Sequence, residues 1–329
     1  MTKPKVYITR AIPEEAIKLL ATRCEVVMHK ENTALPKEKL LNEIKGCYAL
    51  IVSGVKIDAE ICEAIKSHCK IILSHGVGYD NIDVETATKH GIFVTNNPDS
   101  VTDAAADLAF ALLLTTARRI IECDKYVREG NKDWGPMTLL GSQVSRKTIG
   151  IIGAGRIGTA VGQRAKGFDM NILYSDIAKN ENFEKISGGR YVSKEELLRE
   201  SDFISIHAPL LPSTHHLIST KELALMKNTA ILINASRGPL VDEKALVTAL
   251  KNKEIAGAGL DVFEKEPLIE EGLIDLNNVV LTPHAGTSTL DTRILMGEGC
   301  AKNIFASLDG DMPPNCVNPQ VQKNLKEMK

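Results

Sequence analysis

A chain of 329 residues, 43% hydrophobic and 25% charged with a formal net charge of −2, has the composition of an ordinary globular protein of about two domains. The near-neutral balance excludes a general pull toward nucleic acid or an anionic membrane surface. Seven cysteines, at 24, 47, 62, 69, 123, 300 and 316, form no C-x-x-C pair, so reduced thiols in a cytoplasmic protein are expected.

The first hundred residues alternate strand-like and helix-like runs. Residues 6–9 read as a strand, with no apolar signal-peptide core before it. Residues 13–21 read as a helix with Pro13 near its start. Strand-like runs follow at 25–28, 49–52, 70–73 and 92–94, with helical patterns at 37–44, 59–65 and 84–90 between them. Such a β-α-β series predicts a parallel doubly wound sheet. Ser74-His75-Gly76-Val77-Gly78 lies just past the strand at 70–73. Small residues there let backbone N–H groups converge on an anion; a plain turn is the alternative.

Residues 101–120 predict one long helix, apolar almost all round, with Ala105, Leu108 and Leu112 on one side and Phe110, Leu113 and Ala117 on the other. That pattern predicts burial on every side, in a helix joining two domains. Its apolar stretch carries Asp107 and is too short to span a bilayer. Arg118 and Arg119 follow, where cations suit the helix dipole. Residues 121–146 read as irregular and as a candidate dimer arm. They hold the single tryptophan, Trp134, which should be covered by something.

The chain is organised around Lys147-Thr-Ile-Gly-Ile-Ile-Gly-Ala-Gly-Arg-Ile-Gly158. A buried strand, then Gly153, Gly155 and Gly158 in G-x-G-x-x-G spacing, then a helical face from Arg156 onward, form a dinucleotide fingerprint. The glycines serve a tight turn, room for a pyrophosphate and close helix–strand packing. The new helix presents free N–H groups to the phosphates. Asp176 closes the next strand, where a carboxylate meets an adenosine ribose. Later strands also end in polar residues: His207, then Arg237, then Asp261 followed by Glu266, then His284. Ligands of open parallel sheets bind at that carboxyl edge. No metal spacing occurs, and His215-His216 in a polar loop reads as a solvated pair.

A nicotinamide enzyme acting on a hydroxy or keto compound needs a proton carrier beside the reacting carbon, and histidine suits that task. A neighbouring carboxylate favours imidazolium, and an arginine fork matches a substrate carboxylate. His284, Glu266 and Arg237 supply these groups. Singly, each has a plain alternative: a buried imidazole, a solvated loop charge and a strand-end salt bridge.

Gly76-Val-Gly-Tyr-Asp-Asn-Ile-Asp83, the fingerprint, His207-Ala-Pro209, Asn234-Ala-Ser-Arg-Gly238, Asp261-Val-Phe-Glu-Lys-Glu-Pro267 and Thr282-Pro-His-Ala-Gly286 closely resemble the D-isomer-specific 2-hydroxyacid dehydrogenases. The resemblance runs over nearly the whole length. It implies a Rossmann cofactor domain, 100–287, inserted in a flavodoxin-like substrate domain made of 1–99 and 288–329. Both are doubly wound α/β parallel sheets with a cleft between them, and 120–146 is the dimerisation arm. It implies Arg237 as substrate binder, Glu266 as partner of His284 and His284 as acid/base. It places Asp261 near the nicotinamide carboxamide and His207, Ala208 and Pro209 near the adenosine. Arg156, Ile157, Thr214, Ala235, Ser236 and Gly286 complete the implied NAD site. Ser53, His75, Gly76, Val77 and Gly78 are implied on the substrate, and Trp134 reaches it from the partner subunit.

Within the family, residues 99–109 and Trp134-Gly-Pro are most similar to the glyoxylate/hydroxypyruvate reductases. Ser53 stands where phosphoglycerate dehydrogenases usually carry an arginine, which weighs against that alternative. Glu266 replaces the Gln of formate dehydrogenases. An NAD-sensing corepressor-like scaffold is the alternative from a different class. The expectation is a cytoplasmic homodimeric NAD-dependent oxidoreductase for a small 2-keto/2-hydroxy acid, without metal, nucleic-acid or membrane partner.

Overall fold

The structure is a computed structural model that describes residues 2–31 and 35–322. The chain divides into two compact units, Met1–Val101 with Ser288–Lys329, and Thr102–Thr287.

The first unit runs β1 (Lys5–Ile8), α1 (Glu14–Ala21), β2 (Glu25–Met28), α2 (Lys37–Glu43), β3 (Ala49–Val52), α3 (Ala59–Ile65), β4 (Ile71–Ser74), α4 (Val84–Lys89) and β5 (Phe93–Thr95). The strands form a parallel sheet in the order β2-β1-β3-β4-β5. Both faces of β3 are buried. Leu50 and Val52 join Ile61 and Ile72 on one side; Ala49 and Ile51 join Ile71 and Leu73 on the other. That is why these strands are continuous apolar runs rather than alternating ones. Carboxylate caps start α3 and α4: Asp58 accepts the Ile61 N–H at 3.1 Å and Asp83 the Thr86 N–H at 2.9 Å.

The second unit opens with α5 (Thr102–Ala117) and α6 (Ile120–Arg128), then β6 (Thr148–Ile152), α7 (Arg156–Lys166), β7 (Asn171–Ser175), α8 (Glu181–Ser187), β8 (Arg190–Tyr191) and α9 (Lys194–Glu200). It continues with β9 (Phe203–Ile206), α10 (Thr220–Leu223), β10 (Ile231–Asn234), α11 (Glu243–Lys251), β11 (Gly257–Leu260) and β12 (Val279–Leu281). Its seven strands are all parallel, in the order β12-β11-β10-β9-β6-β7-β8. The order reverses between β6 and β9, which is where such a sheet opens a crevice for a ligand. The C-terminal helix α12 (Leu290–Asp309) belongs to the first unit. There Gly297 lets it lie against α1, since an added Cβ would sit 2.2 Å from the Ala16 Cβ.

Two expectations need correction. The long helix stops at Ala117, because Arg119 takes a left-handed φ of 53°, and a separate helix, α6, occupies part of the segment read as irregular. Nor is α5 buried on all sides. Asp103, Asp107 and Ala111 form an exposed stripe at four-residue spacing. Arg164 of α7 covers part of it, donating to the Asp107 Oδ1 at 2.7 Å. No helix among the described residues is long and apolar enough to cross a membrane.

Candidate active site

The fingerprint loop is built by close approach. Gly153 has φ +94°, and a Cβ there would meet the Ala208 N at 2.7 Å; a Cβ on Gly158 would lie 2.0 Å from the Gly153 O. Gly155 differs, because a Cβ there would meet nothing within 4 Å. The first and third glycines pack the loop against the protein, and the second leaves open space over the start of α7. That cradle fits a dinucleotide pyrophosphate. Asp176 braces the loop from the end of β7, accepting the Ala154 N–H at 2.7 Å through Oδ2 and the Ile177 N–H at 2.6 Å through Oδ1. Each oxygen keeps a lone pair for a ribose hydroxyl.

At the end of β9, His207 shares a 2.8 Å hydrogen bond with Ser205 Oγ, and burial pushes its pKa down to about 4, so the ring is neutral. Ser236 Oγ donates to the Ala208 O at 2.7 Å, linking the ends of β9 and β10. Thr214 closes the next loop by donating to the Pro209 O at 2.7 Å.

Arg237 follows β10. Its own loop is fixed by Asn234, whose side chain donates to the Arg237 O and accepts the Ser236 N–H. Gly238 then presses on the loop after β11; a Cβ there would lie 1.9 Å from the Phe263 C and 2.5 Å from the Glu264 N. That contact brings Arg237 beside the segment bearing Glu266. Glu266 Oε2 lies 2.8 Å from His284 Nδ1, and its Oε1 accepts the Phe263 N–H at 3.0 Å. Burial pushes the Glu266 pKa up, but the His284 hydrogen bond and charge, the Phe263 N–H and the Arg237 charge outweigh it. The carboxyl is held below its usual range. With Nδ1 engaged, Nε2 is the ring nitrogen left for a reaction partner, and the side chain is half exposed.

His284 itself has φ +53°, an uncommon backbone for a non-glycine residue. Asp261, 1% exposed, holds that turn. Its carboxylate accepts from Thr282 Oγ1 and the Ala285 N–H, each at 2.6 Å, and from the Gly286 N–H at 2.8 Å. The backbone O of Asp261 takes the His284 N–H at 2.8 Å. Sequence reasoning gave Asp261 only a cofactor role. Its bracing of the His284 turn had no signal in the chain, because its partners lie on a different strand end.

The substrate candidates Ser53, His75, Gly76, Val77 and Gly78 sit in the first unit. Ser53 follows β3 and donates its N–H to Thr9 Oγ1 at 2.8 Å. In the loop after β4, the Gly76 O accepts the Asn97 N–H, the Val77 O accepts from Asn96 Nδ2, and the Gly78 O accepts from Ser74 Oγ. The N–H groups of these three residues make no hydrogen bond among the described residues, so the loop presents donors only. His75 is 4% exposed with Nε2 unpartnered, and burial, with a smaller push from Arg293, lowers its pKa to about 4.

Trp134 is 73% exposed in the single chain, its Nε1 donating to the Asn131 O at 3.1 Å, so its own unit does not cover it. His216 departs from the solvated-pair expectation, lying 3.1 Å from Glu264 Oε2. A cavity of about 860 Å³ lies at the amino ends of β10, β11 and β12, bordered by Ile231, Ala256 and Asn278, and none of Arg237, Glu266 or His284 lines it.

Known proteins carry the same pattern. Residues 110–286 match the family model for the D-isomer specific 2-hydroxyacid dehydrogenase NAD binding domain. A glyoxylate reductase of Korarchaeum cryptofilum is 49% identical over 325 residues, covering 98% of both chains. A solved glyoxylate reductase from Paecilomyes thermophila superposes with a TM-score of 0.87 at 35% identity, covering 97% of this chain and 100% of its own. An NADPH-dependent glyoxylate/hydroxypyruvate reductase from Sinorhizobium meliloti, solved with NADP and malonate, gives 0.85 at 31% identity, covering 97% and 98%. A glycine cradle for a nicotinamide dinucleotide, a histidine–carboxylate pair and an adjacent arginine on one sheet edge, together with these likenesses, make the chain a member of the D-isomer specific 2-hydroxyacid dehydrogenases.

Proposed function

We propose that the protein reduces a small 2-keto acid of the glyoxylate or hydroxypyruvate type with NADH. The observation that carries this is the 2.8 Å His284–Glu266 pair with Arg237 beside it. The Arg237 guanidinium binds the substrate carboxylate and polarises the carbonyl. Glu266 holds Nδ1 at 2.8 Å and so fixes the ring. His284 Nε2 then delivers a proton to the carbonyl oxygen as the carbon becomes an alcohol carbon, and the reverse reaction returns the proton to Nε2. The bound nicotinamide supplies or accepts the hydride. Ser53, His75, Gly76, Val77 and Gly78 are proposed to meet the substrate, the free N–H groups of 76–78 suiting a carboxylate oxygen. All seven cysteines are free thiols, which supports a reducing cytoplasmic setting.

Cofactor choice is read from Asp176. A 2′-phosphate would face its carboxylate, and a like-charge contact near 4 Å costs up to about 4 kcal/mol at an effective dielectric near 20. Lys179, the nearby cation, is paired with Glu184 at 3.1 Å. NAD(H) is therefore favoured over NADP(H). Steady-state rates for a panel of 2-keto acids with NADH and NADPH test both readings. Equal kcat/KM with the two cofactors would defeat the cofactor reading. Cofactor binding without turnover of any 2-keto acid would favour a sensing scaffold instead.

Assembly into a homodimer is proposed from the arm. Ile121, Val127, Met137 and Leu140 are each more than half exposed alongside Trp134, a run of apolar surface that a second copy would cover. Trp134 is proposed to close the partner's substrate site. Mixed dimers of Trp134→Ala and His284→Ala subunits test this. The site with an intact histidine borders the other subunit's wild-type Trp134 and keeps wild-type selectivity. The broadened selectivity of the Trp134→Ala homodimer at that site would refute it.

A further inference from the structure

His215 and His216 directly follow the loop that Thr214 closes. Consecutive side chains along an extended run point to opposite sides. Here His216 has φ +51°, in the left-handed region, and the two rings lie alongside each other, 4.1 Å between centroids and 30° between planes. The His216 backbone is anchored by its N–H to the Pro239 O at 2.8 Å. Glu264 arrives from the loop after β11. Its Oε1 accepts the Glu243 N–H at 2.9 Å, which leaves Oε2 facing His216 Nε2 at 3.1 Å. One ligand atom from each of His215, His216 and Glu264 lies within 4.8 Å of the other two. Asp242 Oδ2 stands 3.8 Å from His216 Nδ1, on the ring's other side.

The His216–Glu264 pair has a structural use as a bridge between two loops. His215 does not: its ring makes no hydrogen bond or ion pair among the described residues, and it stacks only on its neighbour. Two imidazole nitrogens and one carboxylate oxygen, already converging, are the donor set of a three-ligand zinc site with one open position. Bonds of about 2.0–2.2 Å to such an ion need only small side-chain rotations from this spacing. Imidazole donors suit zinc, copper and nickel, whereas magnesium and calcium prefer all-oxygen shells. Asp242, whose Oδ2 accepts from Ser219 Oγ at 2.9 Å, adds a carboxylate charge behind His216 without a hydrogen bond to its ring.

The geometry points to a site for a divalent ion of the zinc class formed by His215, His216 and Glu264, with water in the fourth position. The ion ties the 207–216 loop to the 261–267 loop. It sits two residues from Glu266 without using it, so it acts as a clip on the second unit and takes no part in proton transfer.

The test uses metal-stripped full-length protein titrated with zinc chloride, with magnesium chloride as the control, in wild type and His215→Ala. That variant leaves the His216–Glu264 bridge in place. Expected are one bound zinc per chain and a higher melting temperature with zinc. In His215→Ala, affinity falls at least about tenfold, since even outer partners of metal ligands are worth that much, and the thermal shift is lost. X-ray absorption at the zinc edge should give a nitrogen/oxygen shell. Equal zinc affinity in His215→Ala, equal binding of magnesium, no binding at all, or a sulfur shell from the partly exposed Cys123 or Cys316 would each overturn the assignment.

Discussion

Gly155→Ala separates the cradle's chemistry from its folding. At Gly155 the backbone has φ −72°, which alanine adopts freely, and an added Cβ meets no protein atom within 4 Å. The apo protein should therefore fold with its stability within about 1 kcal/mol of wild type, the entropy lost from the unfolded chain being offset by alanine's poorer fit as the N-cap of α7. The open space that the methyl group enters is the one proposed for the pyrophosphate. Overfilling a close-packed contact costs about 1–3 kcal/mol, so cofactor affinity should fall roughly 5- to 150-fold. Gly158→Ala provides the contrast, because its Cβ would lie 2.0 Å from the Gly153 O and the loop itself must break. The assay pairs NADH fluorescence titration with thermal melting of the apo protein. A stable Gly155→Ala protein that binds NADH as wild type does would refute the placement of the phosphates. An unfolded one would refute the reading of the loop.

His284→Ala should lower kcat by roughly 10²–10⁴ and leave NADH binding nearly unchanged, the usual worth of a positioned acid/base; near-wild-type turnover would remove it from the chemistry. Glu266→Gln should move the pH optimum of reduction lower, because the imidazolium loses a neighbouring charge that Glu266, held below the usual carboxylate range, otherwise keeps. An unchanged pH profile would reduce Glu266 to a positioning role. Acid should destabilise the fold through His75 and His207, whose pKa values burial lowers to about 4 from the usual 6.5 of a histidine. The unfolded chain takes up these protons first, so stability is complete above pH 6.5 and is lost as pH falls toward 4. For His75 the loss is at most about 3 kcal/mol. Melting temperatures that stay flat from pH 7 to pH 4.5 would contradict this.

Much of the fold follows from local pattern. Runs such as Ala49–Val52 and Ile231–Asn234 are short, apolar and β-branched, and both became central strands buried on both faces. The glycine spacing at 153, 155 and 158 could be read because each glycine answers a local demand of a strand–turn–helix. The break at Arg119 could not. Nothing in Ala117-Arg-Arg-Ile120 forbids a continuing helix, and the left-handed residue there accompanies a contact from far along the chain, the Ser142 N–H on the Ala117 O at 2.7 Å. Nothing in the residues around Gly238 signals what fixes it as a glycine. Its real constraint is the backbone at Phe263 and Glu264, brought against it by the neighbouring strand end.

The two acids of the β11 loop mark where sequence reading stops. Both Asp261 and Glu266 were visible as polar residues past a strand end, but position along the chain does not say what each one does. Glu266 is exposed enough to reach a ring nitrogen, and it holds His284 at Nδ1. Asp261 is buried, and three donors from the 282–286 turn converge on its carboxylate. An unpaired carboxylate at that depth would be costly, so the turn and the aspartate stabilise each other. The turn is the one in which His284 adopts φ +53°. The histidine is thus fixed twice, by Glu266 at its ring and by Asp261 beneath its backbone. A substitution at Asp261 would reach the proposed reaction through the direction of the ring, whereas one at Glu266 would also remove a charge from beside it.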